Sequence, residues 1–182
     1  SLILYASTKS YSSSSRIYRT INGGSVWSVV ATYASTDYRI ELAVTPANSA
    51  YVYALVSFQN TVYDANNGGL STIERSTNSG ASFSQVFSGS TKNLLGWYCL
   101  GTDAGGQGGY DLCIAADPSN ANTVYIGGVN TWKSTDGGTS WTNNNMWTGS
   151  GTYNSCGSPV AHADKHDLIF FGSTLYECND GG

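Results

Sequence analysis

The chain has 182 residues, of which 40% are hydrophobic and 13% aromatic, enough for the core of one or two domains. Only 11% of the residues are charged, against about 25% in a typical globular protein, which excludes coiled coils and charge-rich disordered tails. The net charge is −4 and Lys and Arg total eight, so nucleic acid is not an expected partner. No apolar run approaches the ~18 residues of a membrane-spanning helix.

Composition predicts an all-β protein. Twenty-two glycines and 13 tyrosines, among many Ser, Thr and Asn residues, are typical of short strands joined by turns. Residues 1–6 read as a strand already under way, and residues 179–182 read as a turn with no strand after it. We therefore expect that both ends were cut from a longer protein; the alternative is a small domain with ragged ends.

A gapless internal repeat indicates repeated structural units. Residues 43–54 match residues 115–126, and each copy contains an apolar strand, a Pro-x-Asn turn and a strand centred on Val-Tyr. Proline fixes the φ angle of such a turn, and the Asn side chain can bond the backbone beyond it.

A second pattern starts at Thr20, Ser76 and Ser134, and it predicts a tight hairpin turn. In each copy Asn or Asp can accept hydrogen bonds from the turn, Gly permits a positive φ, and an aromatic ring packs on the layer below. The residues concerned are Asn22, Gly24 and Trp27; Asn78, Gly80 and Phe83; and Asp136, Gly138 and Trp141.

Residues 134–141 resemble the Asp-box, or BNR repeat, of the β-propeller superfamily that includes sialidases, sortilin-type domains and xyloglucan-active glycosidases. Residues 107–112, 129–134 and 162–168 resemble sortilin-like propellers of large secreted bacterial proteins. The resemblance covers essentially the whole chain. It implies a structural rather than catalytic role for Asp136, a secreted or bacterial cell-surface location, and contact with bacterial secretion machinery. No cofactor is expected.

The repeats divide residues 1–182 into blades of a partial propeller. We expect the end of one blade at 1–30, a blade at 38–88 with an insertion near 59–70, a blade at 110–145 and the start of another at 166–182. The fold class is thus an all-β propeller fragment of about two complete and two partial four-stranded blades. Closed propellers need about four to eight blades, so we expect the remaining blades from the parent chain or from a partner protein.

The candidate binding residues lie where two long polar connections, 90–109 and 148–161, lead into inner strands. They are Gln107, Tyr110, Asp111, His162, Asp164, His166 and Asp167. In an extended strand His162, Asp164 and His166 would point to one side. Three interpretations remain open, namely a hydrogen-bonded strand start, a glycan or ligand contact, and a metal half-site; no metal ligand is assigned. If the protein is an enzyme, Asp111 and Asp167 are the carboxylate pair.

Four cysteines without a C-x-x-C pair argue against a structural zinc site and allow three disulfide pairings. We favour Cys99 with Cys156, because both lie in the long polar connections. Cys113 lies inside a strand pattern and is expected to be a buried free thiol.

The sequence favours a non-catalytic module that binds glycan or protein, or acts in adhesion, because every strong motif is structural. A glycoside hydrolase of the xyloglucanase or sialidase type is the alternative, and a sortilin-like binder of extended peptide is a further one. A sialidase needs an arginine cluster for its substrate carboxylate, and the four arginines here do not indicate one.

Overall fold

The structure, a computed structural model, describes residues 2–59 and 67–182. Within these ranges every regular element is a strand, and the strands form four antiparallel sheets, here sheets I to IV. Sheet I contains β1 (Leu4–Ser7), β2 (Arg16–Thr20) and β3 (Ser28–Thr32). Sheet II contains β4 (Asp37–Val44), β5 (Val52–Phe58), β6 (Leu70–Ser76) and β7 (Ser84–Ser88). Sheet III contains β8 (Cys113–Ala116), β9 (Val124–Gly127), β10 (Thr131–Ser134) and β11 (Thr142–Asn145). Sheet IV contains β12 (Lys165–Phe171) and β13 (Thr174–Asn179).

Each sheet is a simple meander in which strands adjacent in sequence are hydrogen-bonded neighbours. The first strands of sheets II, III and IV, β4, β8 and β12, contact one another in turn. They therefore line the inside of the array, and the later strands of each sheet lie progressively further out. This arrangement confirms the predicted fold class, an all-β propeller fragment.

Apolar side chains are buried between neighbouring sheets. Ile17 of sheet I packs with Ile40, Ala54 and Val56 of sheet II. The largest cluster joins sheets II and III and includes the fully buried Trp132. Cys113 and Ala115 of sheet III meet Leu168 of sheet IV. A sheet in this fold thus obtains its core from its neighbours.

The three copies of the turn pattern, the repeat turns 20–27, 76–83 and 134–141, share one hydrogen-bond arrangement. In the third, the Ser134 hydroxyl accepts from Gly138 N at 2.9 Å and donates to Asp136 Oδ1 at 2.8 Å. Asp136 Oδ1 also accepts from the backbone N–H groups of Thr139 and Ser140. Gly138 has φ +89°, which side-chain-bearing residues rarely adopt. Thr20–Asn22 and Ser76–Asn78 repeat the hydroxyl-to-Oδ1 bond at 2.8 Å.

The aromatic residue that ends each repeat turn is buried or half-buried only where a preceding sheet covers it. Trp141 is 6% exposed, and its indole N–H donates to Gly138 O. Phe83 packs on the cluster between sheets I and II. Trp27, in the same position of the pattern, is 41% exposed, because no described sheet precedes sheet I. The expectation of a buried ring is therefore wrong for the first copy.

The meander order separates the connections onto two faces. The face that carries the repeat turns and the Pro-x-Asn turns is called the turn face. The opposite face carries connections 8–15, 33–36, 89–112, 128–130 and 146–164, together with residues 59 and 67–69, and is called the rim face. Contacts link its connections: Gly106 N donates to Asn67 O at 2.8 Å, and Asn130 Nδ2 donates to Gly96 O at 2.9 Å.

The insertion expected near residues 59–70 falls mostly on residues 60–66, which lie outside the described residues. Within the described ranges, no helix is long and apolar enough to cross a membrane. The predicted disulfide between Cys99 and Cys156 is confirmed, and so is the prediction that Cys113 is a buried free thiol.

Replacing Asp136 with alanine should destabilise the third repeat turn, because two backbone N–H groups and the Ser140 hydroxyl lose their acceptor. We expect the free energy of unfolding to fall by about 1–2 kcal/mol, measured by chemical denaturation. Asp136→Asn, the residue of the other two copies, retains an acceptor and should lose less. An alanine variant as stable as wild type would contradict this role.

The comparison of Asp136 with Asn should also depend on pH. Desolvation opposes ionisation of Asp136, but hydrogen bonds led by that from Ser140 outweigh it and hold the pKa below its usual range. The ionised carboxylate therefore contributes stability that is fully present above the unfolded pKa of about 4. This advantage over Asn should be lost as pH falls through the lowered folded pKa.

Candidate functional site

The sequence-predicted binding residues lie on the rim face, around the starts of β8 and β12. Gln107 shapes the approach to β8, since its backbone oxygen accepts from Tyr110 N at 2.7 Å and Asp111 N at 3.0 Å. This tight turn sends the neighbouring side chains of Tyr110 and Asp111 in different directions. Tyr110 is 55% exposed, whereas Asp111 is fully buried.

The two long connections are fixed to each other beside this site. The Cys99–Cys156 disulfide joins them, and Cys99 N donates to Tyr153 O at 3.0 Å. The Tyr153 ring lies 4.9 Å from the Tyr98 ring and 5.2 Å from the Trp147 ring, centroid to centroid. These rings are half-buried against one another, so they fill the space between the connections rather than forming an open platform.

Two cations from other sheets hold the backbone next to Tyr110. Arg39 of β4 donates to Tyr110 O at 3.0 Å and to Leu112 O at 3.2 Å. Lys9, in the connection between β1 and β2, donates to Gly109 O at 3.0 Å. The position of the Tyr110 ring is therefore determined jointly by sheets I, II and III.

An exposed cluster joins Tyr110 to the end of sheet IV. Its ring meets the His166 ring edge to face at 4.9 Å, and its hydroxyl donates to Asp180 Oδ2 at 3.1 Å. His166 Nε2 lies 2.6 Å from Asp180 Oδ1. The hydrogen bond with His166, and then that from Tyr110, lower the pKa of Asp180 despite some desolvation, and the Asp180 carboxylate raises the pKa of Tyr110. This Tyr110–His166–Asp180 cluster combines a ring face with donors and acceptors.

A carboxyl group is buried directly behind the cluster. Neither side-chain oxygen of Asp111 has a hydrogen-bond partner among the described residues. Burial, and then the nearby Asp164 carboxylate, raise the pKa of Asp111 to about 8, although Arg39 acts in the opposite direction. Asp111 is therefore mainly protonated at neutral pH. Asp164, which is only half-buried, is the carboxylate of the two that reaches the surface.

Lys165 is a fully buried cation between sheets III and IV. Its ammonium donates to Val129 O at 3.3 Å and to His162 O, and it lies 3.6 Å from Glu177 Oε1. Asn145 Nδ2 donates to Glu177 Oε2 at 3.0 Å. Burial lowers the pKa of Lys165, while Glu177 raises it. Because Lys165 binds the backbone at His162, it helps fix the segment that carries Asp164.

The expectation that His162, Asp164 and His166 share one side of an extended strand is wrong. Strand β12 begins only at Lys165, and Asp164 has φ +62°, outside the strand region. The chain therefore turns between the two histidines. His162 lies beside Gly181, with Nδ1 3.2 Å from Ala163 O, while His166 reaches Tyr110.

The suggested carboxylate pair, Asp111 and Asp167, is not the pair of carboxylates that the structure indicates. Asp167 is exposed on β12 and accepts from Leu168 N at 2.9 Å. The carboxylate that most affects Asp111 is Asp164. Among the described residues, no group of three or more His, Cys, Asp or Glu side chains is arranged to hold a metal ion.

Sequence reasoning missed Asp180, Lys165 and Glu177. Asp180 could have been found by counting register from the tight turn after Phe171, since Lys165 pairs with Asn179 across the hairpin. The residue after Asn179 must then lie beside the start of β12, on the rim face. Nothing in the sequence pattern distinguishes Lys165 as buried.

The meandering sheets, packed side by side around their first strands, define the chain as part of a β-propeller. Two solved structures share this fold. A GH74 enzyme of Niastella koreensis superposes with a TM-score of 0.62 at 21% identity, covering 97% of this chain and 24% of that one. A GH74 xyloglucanase of Xanthomonas campestris gives 0.59 at 16% identity, covering 96% and 25%.

Similarity in sequence points to one curated protein. A xyloglucanase of Hypocrea jecorina (strain QM6a) is 33% identical over 140 residues, which cover 73% of this chain and 15% of the relative. The chain therefore spans about a seventh of that relative and about a quarter of the two solved structures. No family model matches the sequence.

Replacing Lys165 with methionine should destabilise the junction of sheets III and IV, because the Glu177 carboxylate loses its buried cation. We expect the free energy of unfolding to fall by roughly 3–5 kcal/mol. The double variant Lys165→Met/Glu177→Gln removes both charges and should recover much of this loss. If the stability losses of Lys165→Met and Glu177→Gln, each measured alone, simply added in the double variant, the two charges would not be coupled.

In the variant Asp111→Asn, the free energy of unfolding should depend on pH differently from that of wild type. Since the folded pKa of Asp111 lies above its unfolded value, the folded state holds the extra proton between pH 4 and 8. Wild type should lose stability relative to the variant by up to about 1.4 kcal/mol per pH unit over this range, with a plateau above pH 8. Denaturation curves at several pH values measure the difference; parallel curves would contradict the raised pKa.

Proposed function

We propose that this chain forms part of a glycoside hydrolase of the xyloglucanase type and that its rim face contacts the polysaccharide. The observation that carries the proposal is the 33% identity to a xyloglucanase over 140 residues. In this proposal, the missing blades belong to the same parent chain.

The geometry of the rim face suits a glycan ligand. Sugar rings stack on aromatic faces, and their hydroxyl groups need both donors and acceptors nearby. The exposed ring of Tyr110 supplies a face, and His166 and Asp180 supply polar groups next to it. Three sheets hold these groups in position, which reduces the entropy lost on binding.

Hydrolysis of a glycosidic bond requires two carboxyl groups, one acting as acid and one as base or nucleophile. In the proposed enzyme, Asp164, Asp167 and Asp180 are carboxylates that a substrate can reach, whereas Asp111 is fully buried. Asp111 lies buried behind them and is not a candidate for direct contact with the substrate. The rest of the parent chain supplies any further catalytic group.

One observation favours the non-catalytic alternative, a glycan-binding or adhesion module. Asp111, the first member of the sequence-suggested carboxylate pair, is 0% exposed and cannot touch a substrate in this arrangement. If these blades serve only in binding, catalysis either takes place elsewhere in the parent chain or is not a function of the protein.

We also propose that the protein is secreted or displayed on a bacterial cell surface. The Cys99–Cys156 disulfide supports this location, because disulfides persist mainly in oxidising compartments. Protection of both thiols from alkylation in freshly isolated protein would agree with it.

The decisive experiment incubates the full-length protein with xyloglucan and measures new reducing ends. We expect release of oligosaccharides, and Tyr110→Ala should reduce kcat/KM about tenfold by removing a stacking surface. Tyr110→Phe keeps the ring and should retain most activity. Binding of xyloglucan without hydrolysis would favour the adhesion module, whereas binding of extended peptides but no glycan would favour the sortilin-like alternative.

A further inference from the structure

A second exposed aromatic ring lies on the rim face, in sheet I. Tyr11, in the connection between β1 and β2, is 66% exposed. Its ring lies 4.2 Å from the ring of Tyr38, centroid to centroid, with the planes tilted by 40°. Tyr38 is fully buried, so it supports Tyr11 from below and leaves the rest of the ring open.

The backbone around Tyr11 is held at several points. Ser10 N donates to Tyr38 O at 3.2 Å, and the Gln59 side-chain amide donates to Tyr11 O. The hydroxyl groups of Ser10 and Ser13 lie 2.7 Å apart. These hydrogen bonds order the connection between β1 and β2. The Tyr11 ring is therefore held in position before any ligand binds, which reduces the entropy lost on binding.

Lys9 connects this ring to the Tyr110–His166–Asp180 cluster. Its ammonium lies 4.8 Å from the centroid of the Tyr38 ring and donates to Gly109 O, the residue before Tyr110. Lys9 therefore links Tyr38, which supports the Tyr11 ring, to the backbone that carries the Tyr110 ring.

The charges along this surface favour a neutral ligand. Lys9 and Arg39 are directed at backbone carbonyl groups, whereas Asp164 and Asp180 present carboxylates at the other end. A glycan bearing carboxylates would be repelled there, because Lys9 and Arg39 are already engaged with backbone oxygens. A neutral chain of sugars meets no such penalty.

We propose that Tyr11 forms a second saccharide subsite, so that a neutral oligosaccharide extends along the rim face from the Tyr110–His166–Asp180 cluster to sheet I. Lys9 is a positioning residue that fixes the separation of the two rings. This inference rests on the proposed function, because it assumes that the rim face binds glycan.

The test compares short and long neutral xyloglucan oligosaccharides binding to the full-length protein, measured by calorimetry. Tyr11→Ala should weaken binding of the long oligosaccharides about tenfold and leave the short ones unchanged. Tyr11→Leu continues to cover Tyr38 but offers no ring face, and it should show the same length-dependent loss. Tyr11→Phe is the matched control and should bind both lengths like wild type.

The possible failures are distinguishable. Unchanged long-chain binding in Tyr11→Ala and Tyr11→Leu, with binding lost in Tyr110→Ala, would overturn the second subsite and leave the proposed function standing. Equal weakening of short and long oligosaccharides would also overturn it, since the ring would then act through the rest of the site. A wild-type protein that binds no xyloglucan oligosaccharide would overturn the proposed function and the subsite together.

Discussion

The packing of each sheet against its neighbours is the constraint on which the rest of this structure depends. Sheets of two to four short strands cannot bury their apolar side chains alone, and the clusters between sheets I and II, II and III, and III and IV supply the missing contacts. Side chains on the turn face strengthen the same junctions. Tyr5 donates to Ser79 O at 2.8 Å, Tyr53 to Ala121 O at 2.7 Å and Arg75 to Gly137 O at 3.0 Å.

The turn face and the rim face differ in the contacts that their connections make. On the turn face, short repeat turns satisfy their own backbone and lock one sheet to the next. On the rim face, long connections cross from sheet to sheet and carry the groups that differ between repeats. Arg39, Lys9 and Lys165 each reach a backbone oxygen in another connection or sheet, so the exposed cluster rests on contacts that hold the blades together. At these residues the same contacts join the sheets and position the exposed cluster.

The sequence determined the fold to a large extent because its signals are local. The hydroxyl, Asn or Asp, and Gly of the pattern beginning at Ser134 close a turn within a few residues, so spacing alone reveals it. The site was harder to predict from the sequence, because it depends on contacts between residues far apart in the chain. Burial of Asp111, the positive φ of Asp164 and the pairing of Lys165 with Glu177 arise from how sheet III meets sheet IV. Period-two reasoning failed at His162 because the strand starts three residues later.

The unequal sheets at the two ends of the array have a consequence for handling this segment. Among the described residues, apolar clusters join sheets I and II, II and III, and III and IV, so sheets I and IV each have one face without a neighbouring sheet, and they carry exposed apolar side chains such as Leu4 and Phe171. Exposed apolar surface of this kind favours association with other chains. Because the two ends are unlike, copies of the isolated segment would join head to tail, and such contacts produce closed rings or open filaments rather than symmetric dimers.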